Sequence, residues 1–483
     1  MDESLEKIGQ RIPKHGIGHE RILKMMGELA SGDVKYKEGR TWSLVYHAGE
    51  EHTEFLKQAH GLFFETNGLN PMAFTSLKRF EHDVVAMAAS MLHGGPDTVG
   101  TMTSGGTESI FMAIKAYRTM VRRKRPWVIR PNIIAPVSVH VAFKKACEFL
   151  DVRMITAPLD ENFRVDLRAV KRLINRNTIL LVGSAPNYPY GTIDPITELG
   201  KLAIKRHIPL HVDSCLGGFL LPFVEKSGFD IPRFDFRVPG VTSMSADVHK
   251  YGYAAKGASV VLYKNMAFLQ HQFYVDVDWP GGIFVSAGLL GTRPGGSIAA
   301  AWAAMLAMGE DGYMELARQT METTQKLKAG IANIPGLAIV GNPEMSVFAY
   351  KSTDKALNIY AVGDQMEKRG WHIDRLPSPP ALHAMVTAVH RDVADNYIQD
   401  LKDAVAFLRA NPSTAETGSA PMYGLMAKMP LRGMVKKSVL QIMKDMYSPS
   451  GKMPDLSTDS ETATDPLVRI GLSALKFWEK IRG

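Results

Sequence analysis

From about Gly61 to about Asp311 the chain repeats one pattern: a short apolar run rich in Val, Ile and Leu, a turn, then a segment of helical periodicity. The runs are 132–136, 152–158, 178–186, 208–215, 241–247 and 258–263. A strand that is apolar on both faces needs cover on both, and alternating strands with crossover helices supplies it in a parallel sheet. The connector after the third run shows how. Asp194 is placed as its N-cap, Pro195 lies in its first turn, and Ile196, Leu199 and Ala203 share one side. The pattern predicts an α/β domain with a mostly parallel central sheet over residues 62–312.

The flanks differ. Residues 1–61 are rich in charge and read as an N-terminal arm with little core of its own. Residues 313–483 carry long helical patterns with a few strands (LAIVG, SVFAYKS, WHIDRL), which predicts a smaller α+β domain. Within it, residues 447–465 lack aliphatic periodicity and read as a loop before LVRIGLSALKFWEK. The apolar run from Ile298 to Gly309, bounded by Ser297 and Glu310, is well short of the ~20 residues that span a bilayer, and predicts a buried helix.

The N-terminus mixes charges where a signal peptide needs an apolar core. Cys147 and Cys215 are the only cysteines, too few for a disulfide framework, so the chain is expected to be soluble and cytoplasmic, with free thiols. The net charge of +8 comes from 57 basic and 49 acidic residues spread along the chain, which argues against a nucleic-acid partner. A basic excess of this size suits phosphorylated small molecules, or transient contact with an anionic membrane surface. The densest cluster, Arg122 to Arg125, ends a helical pattern before Pro126, where cations complement the carbonyl end of the helix.

Four elements at strand and helix ends carry the chemistry. SADVHKYGYAAKG (245–257) follows a buried strand and centres on Lys250, a residue expensive to bury as an ammonium unless it is consumed as an imine. IPLHVDSC ends in Asp213, at the strand end where open α/β sheets place ligand groups; a carboxylate there keeps a pyridine nitrogen protonated. TSGGTES (103–109) opens a helix, so Gly105 and Gly106 with the amides and hydroxyls of Thr107 and Ser109 predict a phosphate cradle. His140 falls at a strand-to-helix turn on the same side, placed to stack on a flat ring. Each alone suits an ordinary surface lysine, cap or turn. Together they predict pyridoxal 5′-phosphate held as a Schiff base on Lys250. HAGEEH (47–52) mixes metal-binding side chains but misses H-x-x-E-H, since position 51 is Glu, so no catalytic metal is expected.

Long stretches of the chain resemble the sphingosine-1-phosphate lyases of the group II decarboxylase-like branch of the aspartate-aminotransferase fold. They are GRTWSLVY, GGPDTVGTMTSGGTESIFMAIKAYR, PLHVDSCLGGFL, FDFRVPGVTSMSADVHKYGYAAKG, GTRPGG and APMYGLM. The resemblance implies a soluble, bacterial-type homodimer with shared active sites. It gives Gly106, Thr107 and His249 to the cofactor phosphate, with Thr292, where Ser is frequent, reaching across from the partner chain. It gives Lys256, and Tyr46 from the neighbouring subunit, to the substrate phosphate, and puts Tyr188 beside the reacting carbons. Two positions depart from the family pattern. Asn70 stands where the N-P-L-H-P motif has His, removing a charge, and Phe284 stands where Tyr is common.

The implied reaction is a retro-aldol cleavage of the C2–C3 bond of a phosphorylated long-chain amino alcohol, giving a long-chain aldehyde and phosphoethanolamine. Tyr188 or a phosphate-linked group is the candidate base. Two other readings stand beside it: an amino-acid decarboxylase on the same scaffold, and a basic binding protein that keeps the fold without catalysis.

Overall fold

The structure, a computed structural model, describes residues 12–70, 72–416 and 432–449. Its central sheet has seven strands: β1 Val99–Thr103, β2 Asn132–Pro136, β3 Arg153–Ala157, β4 Thr178–Ser184, β5 Leu210–Asp213, β6 Val241–Ala246 and β7 Ser259–Tyr263. Their order is β1-β7-β6-β5-β4-β2-β3. Strands β6, β5, β4, β2 and β3 pair in parallel, and β7 runs antiparallel to both β6 and β1. The parallel strands therefore all end at one edge, where the crossover turns open a ligand site. Side chains of β2, β4 and β5 are buried throughout, as their apolar runs require.

All six predicted runs are strands of this sheet, each trimmed by no more than a few residues. The seventh, β1, carries Gly100 where a Cβ would lie 2.4 Å from the Val261 carbonyl oxygen, so close pairing with β7 selects glycine over a β-former. One local expectation fails. Asp194 does not cap the helix Ile196–Arg206; Pro195 holds that position with no side-chain cap. The buried Asp194 carboxylate accepts instead from the backbone N–H groups of Val165 and Ser184, each at 2.8 Å. Two buried backbone amides, which have no water to turn to, take the carboxyl group in place of the helix end.

Strands β8 Tyr274–Asp276 and β9 Phe284–Ser286 form a separate hairpin. A 38-residue helix, Gly295–Ala332, follows, with its early residues Ile298 to Ala301 buried and a non-helical break at Gly309, φ 58°. That break at Gly309 divides the element into two helical segments three residues before the expected boundary at 312/313. Beyond it, β10 Leu337–Ile339, β11 Val347–Ser352, β12 Asp374–Pro377 and β13 Pro380–Met385 form an antiparallel sheet in the order β10-β11-β13-β12. Helices Ile359–Glu367 and Ala394–Ala410 build a second core with it around Trp371, Phe348 and Tyr397. Trp42, from the N-terminal arm, is 1% exposed in that core and stacks on His390 at 4.4 Å. Segment 1–11, APMYGLM, most of 447–465 and LVRIGLSALKFWEK lie outside the described residues.

Both cysteines are free and buried. Among the described residues no helix is long and apolar enough to cross a membrane.

Candidate active site

A cavity of about 530 Å³ opens at the carboxyl edge of β4 and β5, between the central sheet and the small sheet. Gly106, Thr107, His140, Tyr188, Asp213, His249, Lys250 and Lys256 line it, together with Tyr46, so residues far apart in sequence meet there.

Lys250 sits on the turn that follows β6, and its Nζ lies 2.9 Å from Asp247 Oδ2. Asp247, three residues earlier, is 2% exposed, and its Oδ1 has no hydrogen-bond partner. Burial pulls the Lys250 ammonium down, but Asp247, with Cys215 and Asp213, outweighs it and holds the pKa above the ordinary lysine range. Burial also acts on Asp247 in the direction of neutrality, and Lys250 and His249 overcome it, leaving the carboxyl below its ordinary value. The pair is thus an ammonium on a carboxylate. The sequence reading singled out Lys250 and passed over Asp247, whose signal was its place in the same short motif, at i−3 from the lysine.

Asp213 ends β5 and is 6% exposed. Its Oδ1 accepts from Ser245 Oγ and from the Cys215 N–H, both at 3.2 Å. Ser245 Oγ lies 3.3 Å from His211 Nε2, and His211 Nδ1 lies 2.8 Å from Ser243 Oγ. This buried chain fixes the carboxylate while leaving Oδ2 toward other partners. His140 lines the cavity and also accepts the Ala142 N–H at Nδ1, 3.2 Å away, which fixes its ring at the cavity wall.

The helix Gly106–Lys124 begins at the cavity, with Gly105 at its N-cap position. A Cβ on Gly106 would lie 2.7 Å from Cys215 Sγ and 2.8 Å from both Asp247 carboxylate oxygens, so those side chains or the helix start would have to shift to admit it. The free backbone amides of this first turn point where an anion is favoured. Ser109 does not join them. Its hydroxyl is buried between Thr103 Oγ1 at 2.7 Å and Ser259 Oγ at 2.8 Å, one turn too deep to reach the cavity. Glu108 instead closes the turn, accepting from Ser104 N at 2.7 Å and Ser104 Oγ at 2.6 Å. His249 accepts the Ala258 N–H at Nδ1, 3.2 Å away, and burial lowers its pKa, which keeps the ring neutral.

Lys256 lies six residues after Lys250 on the same β6–β7 connection, with Nζ 3.1 Å from the Leu44 carbonyl and 5.1 Å above the Tyr46 ring. Burial and the charge of Lys250 lower its pKa. Tyr46 reaches this cavity from its own chain, whereas the resemblance implies a neighbouring subunit as its source. Its hydroxyl lies 2.9 Å from Met385 Sδ, and its ring packs edge-on against Tyr251.

Tyr188 follows β4 and donates its hydroxyl to Asp374 Oδ2 at 3.1 Å. Burial, then Asp374, pushes the phenol well above its ordinary range. His383 Nε2 lies 2.9 Å from the Tyr188 carbonyl, and burial keeps that imidazole neutral. Asp374 and His383 come from the small sheet, a long-range pairing that local sequence patterns do not encode.

Asn70 and Thr292 lie outside this cavity and are exposed in the single chain. The Asn70 side chain accepts from the Met72 and Ala73 N–H groups, the bonding of a turn. Phe284, on β9, packs edge-on against Tyr274 and Trp279.

The residues present fit pyridoxal 5′-phosphate: a buried lysine, a fixed carboxylate at a strand end, a flanking imidazole and a glycine-lined helix start that a single Cβ would fill.

The comparisons agree. Residues 66–353 match the family model described as the pyridoxal-dependent decarboxylase conserved domain. The chain is 44% identical over 450 residues to the sphingosine-1-phosphate lyase of Dictyostelium discoideum, covering 92% of this chain and 84% of that protein. It is 43% identical over 440 residues to sphingosine-1-phosphate lyase 1 of Rattus norvegicus, covering 90% and 77%. Among solved structures, the sphingosine-1-phosphate lyase of Burkholderia pseudomallei superposes with a TM-score of 0.83 at 38% identity, covering 91% of this chain and 97% of that one. With this identity over most of the chain and this likeness of fold, the chain belongs to the sphingosine-1-phosphate lyase family of pyridoxal-phosphate enzymes.

Proposed function

We propose that the protein cleaves the C2–C3 bond of a sphingosine- or sphinganine-type 1-phosphate, releasing a long-chain aldehyde and phosphoethanolamine. The observation that carries this reading is a second cation, Lys256, in the cavity that holds Lys250, set over the Tyr46 ring. One lysine serves the cofactor, and the other, held among the described residues only by the Leu44 and His249 backbone carbonyls, can meet a substrate phosphate.

Bound at Lys250, pyridoxal phosphate supplies an electron sink for the charge that develops at the carbon bearing the amine. Asp213, held by Ser245 and the Cys215 amide, supplies the fixed negative charge that keeps the ring nitrogen protonated. Lys250 Nζ, when free of the cofactor, would be held by Asp247 as an ammonium and could deliver the proton that C2 needs after cleavage. The electron pair of the C2–C3 bond goes to C2, and the O–H pair on C3 becomes the aldehyde π bond. A phenol as weakly acidic as Tyr188 takes the C3 hydroxyl proton only as it passes its own to Asp374, so the two act as one relay.

The active unit is proposed to be a homodimer. Thr292 and Asn70, exposed on a single chain, are then the partner's contributions to the cofactor and substrate phosphates.

The test is mass spectrometry of products from a mixed pool of phosphorylated long-chain bases. Aldehyde and phosphoethanolamine in equal amounts are expected. Carbon dioxide from amino acids with no aldehyde would establish a decarboxylase instead. Light scattering checks the dimer, and a monomeric active enzyme overturns it.

A further inference from the structure

The edge of the central sheet opposite the cavity is built from helix ends. Helices Gly106–Lys124, Leu167–Leu173 and Ile196–Arg206 all finish there, and their last turns carry seven cations, among them Arg123, Arg172 and Arg206. Each complements a carbonyl end, which explains one cation per helix but not the sum. Because parallel strands start at this edge, the topology gathers the C-termini of the crossover helices that lead into them on one face. The loops between add Arg130 and Arg176, both exposed. Among the described residues none of the seven has a carboxylate partner. Glu148 and Asp151 bring acid to the same edge, and Asp151 lies beside Arg118, so the balance stays strongly positive.

Two further observations mark this face as more than solvated. Trp127 and Ile129, in the loop between the first of these helices and β2, are 71% and 84% exposed. A groove of about 790 Å³ between the first and third helices is lined by Lys124, Arg125, Arg206 and Lys264 around Ile204 and Phe268. Projecting indole and aliphatic side chains among cations match the headgroup region of a bilayer, where Trp sits at the interface and basic side chains meet anionic lipids. Nucleic acid needs the cations but not a protruding Ile.

We infer that this face docks the protein onto an anionic lipid bilayer, with Trp127 and Ile129 entering the headgroup layer and the helix-end cations meeting lipid phosphates. The inference does not depend on the reaction proposed above. Strands of four to seven residues separate this edge from the cavity by roughly 15–20 Å, so the face can be altered without touching the active site.

The experiment is flotation of the holoenzyme with phosphatidylcholine vesicles, with and without phosphatidylserine. Wild type is expected to bind the phosphatidylserine vesicles at least about tenfold more tightly, with the preference shrinking as salt rises. R123E/R172E/R206E should lose about tenfold or more, Trp127→Ala should lose a smaller but measurable part, and both should keep turnover of a short-chain, water-soluble phosphorylated substrate within about twofold. Retained turnover excludes misfolding as the cause of lost binding. Equal binding to both vesicles, or wild-type binding by the triple variant, overturns the inference. So does Trp127→Ala binding vesicles unchanged while duplex DNA competes them off, which would reassign the face to nucleic acid.

Discussion

The Tyr188 hydroxyl donates to Asp374 Oδ2 across 3.1 Å, joining a loop of the central sheet to a strand of the small one. If the two act as a relay, Asp374→Asn keeps a hydrogen-bond acceptor but removes the proton acceptor. The expected result is a kcat lower by roughly 10²-fold with KM little changed, and no comparable further loss in the Asp374→Asn/Tyr188→Phe double variant. Additive losses in steady-state kinetics would separate the two residues.

Lys250→Ala is expected to abolish turnover and the visible Schiff-base absorption band together. A band that survives the substitution would move the cofactor to another lysine.

Lys256→Ala is expected to weaken kcat/KM for the phosphorylated substrate by roughly 30-fold or more, about 2 kcal/mol for a charge-assisted contact, while leaving a nonphosphorylated analogue nearly unaffected. Equal losses on both substrates would make Lys256 a structural residue.

Gly106→Ala places a methyl group against Cys215 and Asp247 at distances that force either those side chains or the helix start to move, and both line the cofactor cavity. Cofactor affinity, read by titrating the apoenzyme with pyridoxal phosphate and following absorbance, should fall by about tenfold or more. Unchanged affinity would show that the first turn adjusts freely.

Stability should fall as the solution is acidified from pH 6.5. Burial lowers the pKa of both His211 and His390 from 6.5 to about 4. Below 6.5 the unfolded chain takes up protons on these imidazoles that the folded chain refuses until about 4. Each therefore removes up to ~1.4 kcal/mol of stability per pH unit inside that window and nothing above it. The buried Asp194 carboxyl, pushed up by burial to about 7, titrates in the same interval with the opposite sign, so the histidine contribution is read as the difference between wild type and variant. Urea unfolding across that interval should give a steeper slope for wild type than for His211→Gln or His390→Gln.

The sheet was legible because its strands are apolar on both faces, and that composition survives without tertiary information. Lys250, Asp213, Gly106 and His140 were legible because each sits at the end of such a strand or the start of a helix. The exceptions share a cause. β1 is marked by a glycine chosen for close pairing, and β13 begins at Pro380 and carries the buried polar His383, so neither reads as a strand. Asp374 and His383 act on Tyr188 from nearly two hundred residues away. Asp194 looked like a cap because the buried amides that claim it are invisible until the chain is folded.

Lys250 and Lys256 share one short connection between β6 and β7, pinned where Lys256 meets the Leu44 carbonyl and His249 meets the Ala258 amide. The segment works as a ruler. With Lys250 and Lys256 in the roles proposed, it would set the reach from the amine-bearing carbon to the phosphate and leave the rest of the substrate unmeasured, so the enzyme should discriminate sharply among headgroups of different length and only weakly among tails.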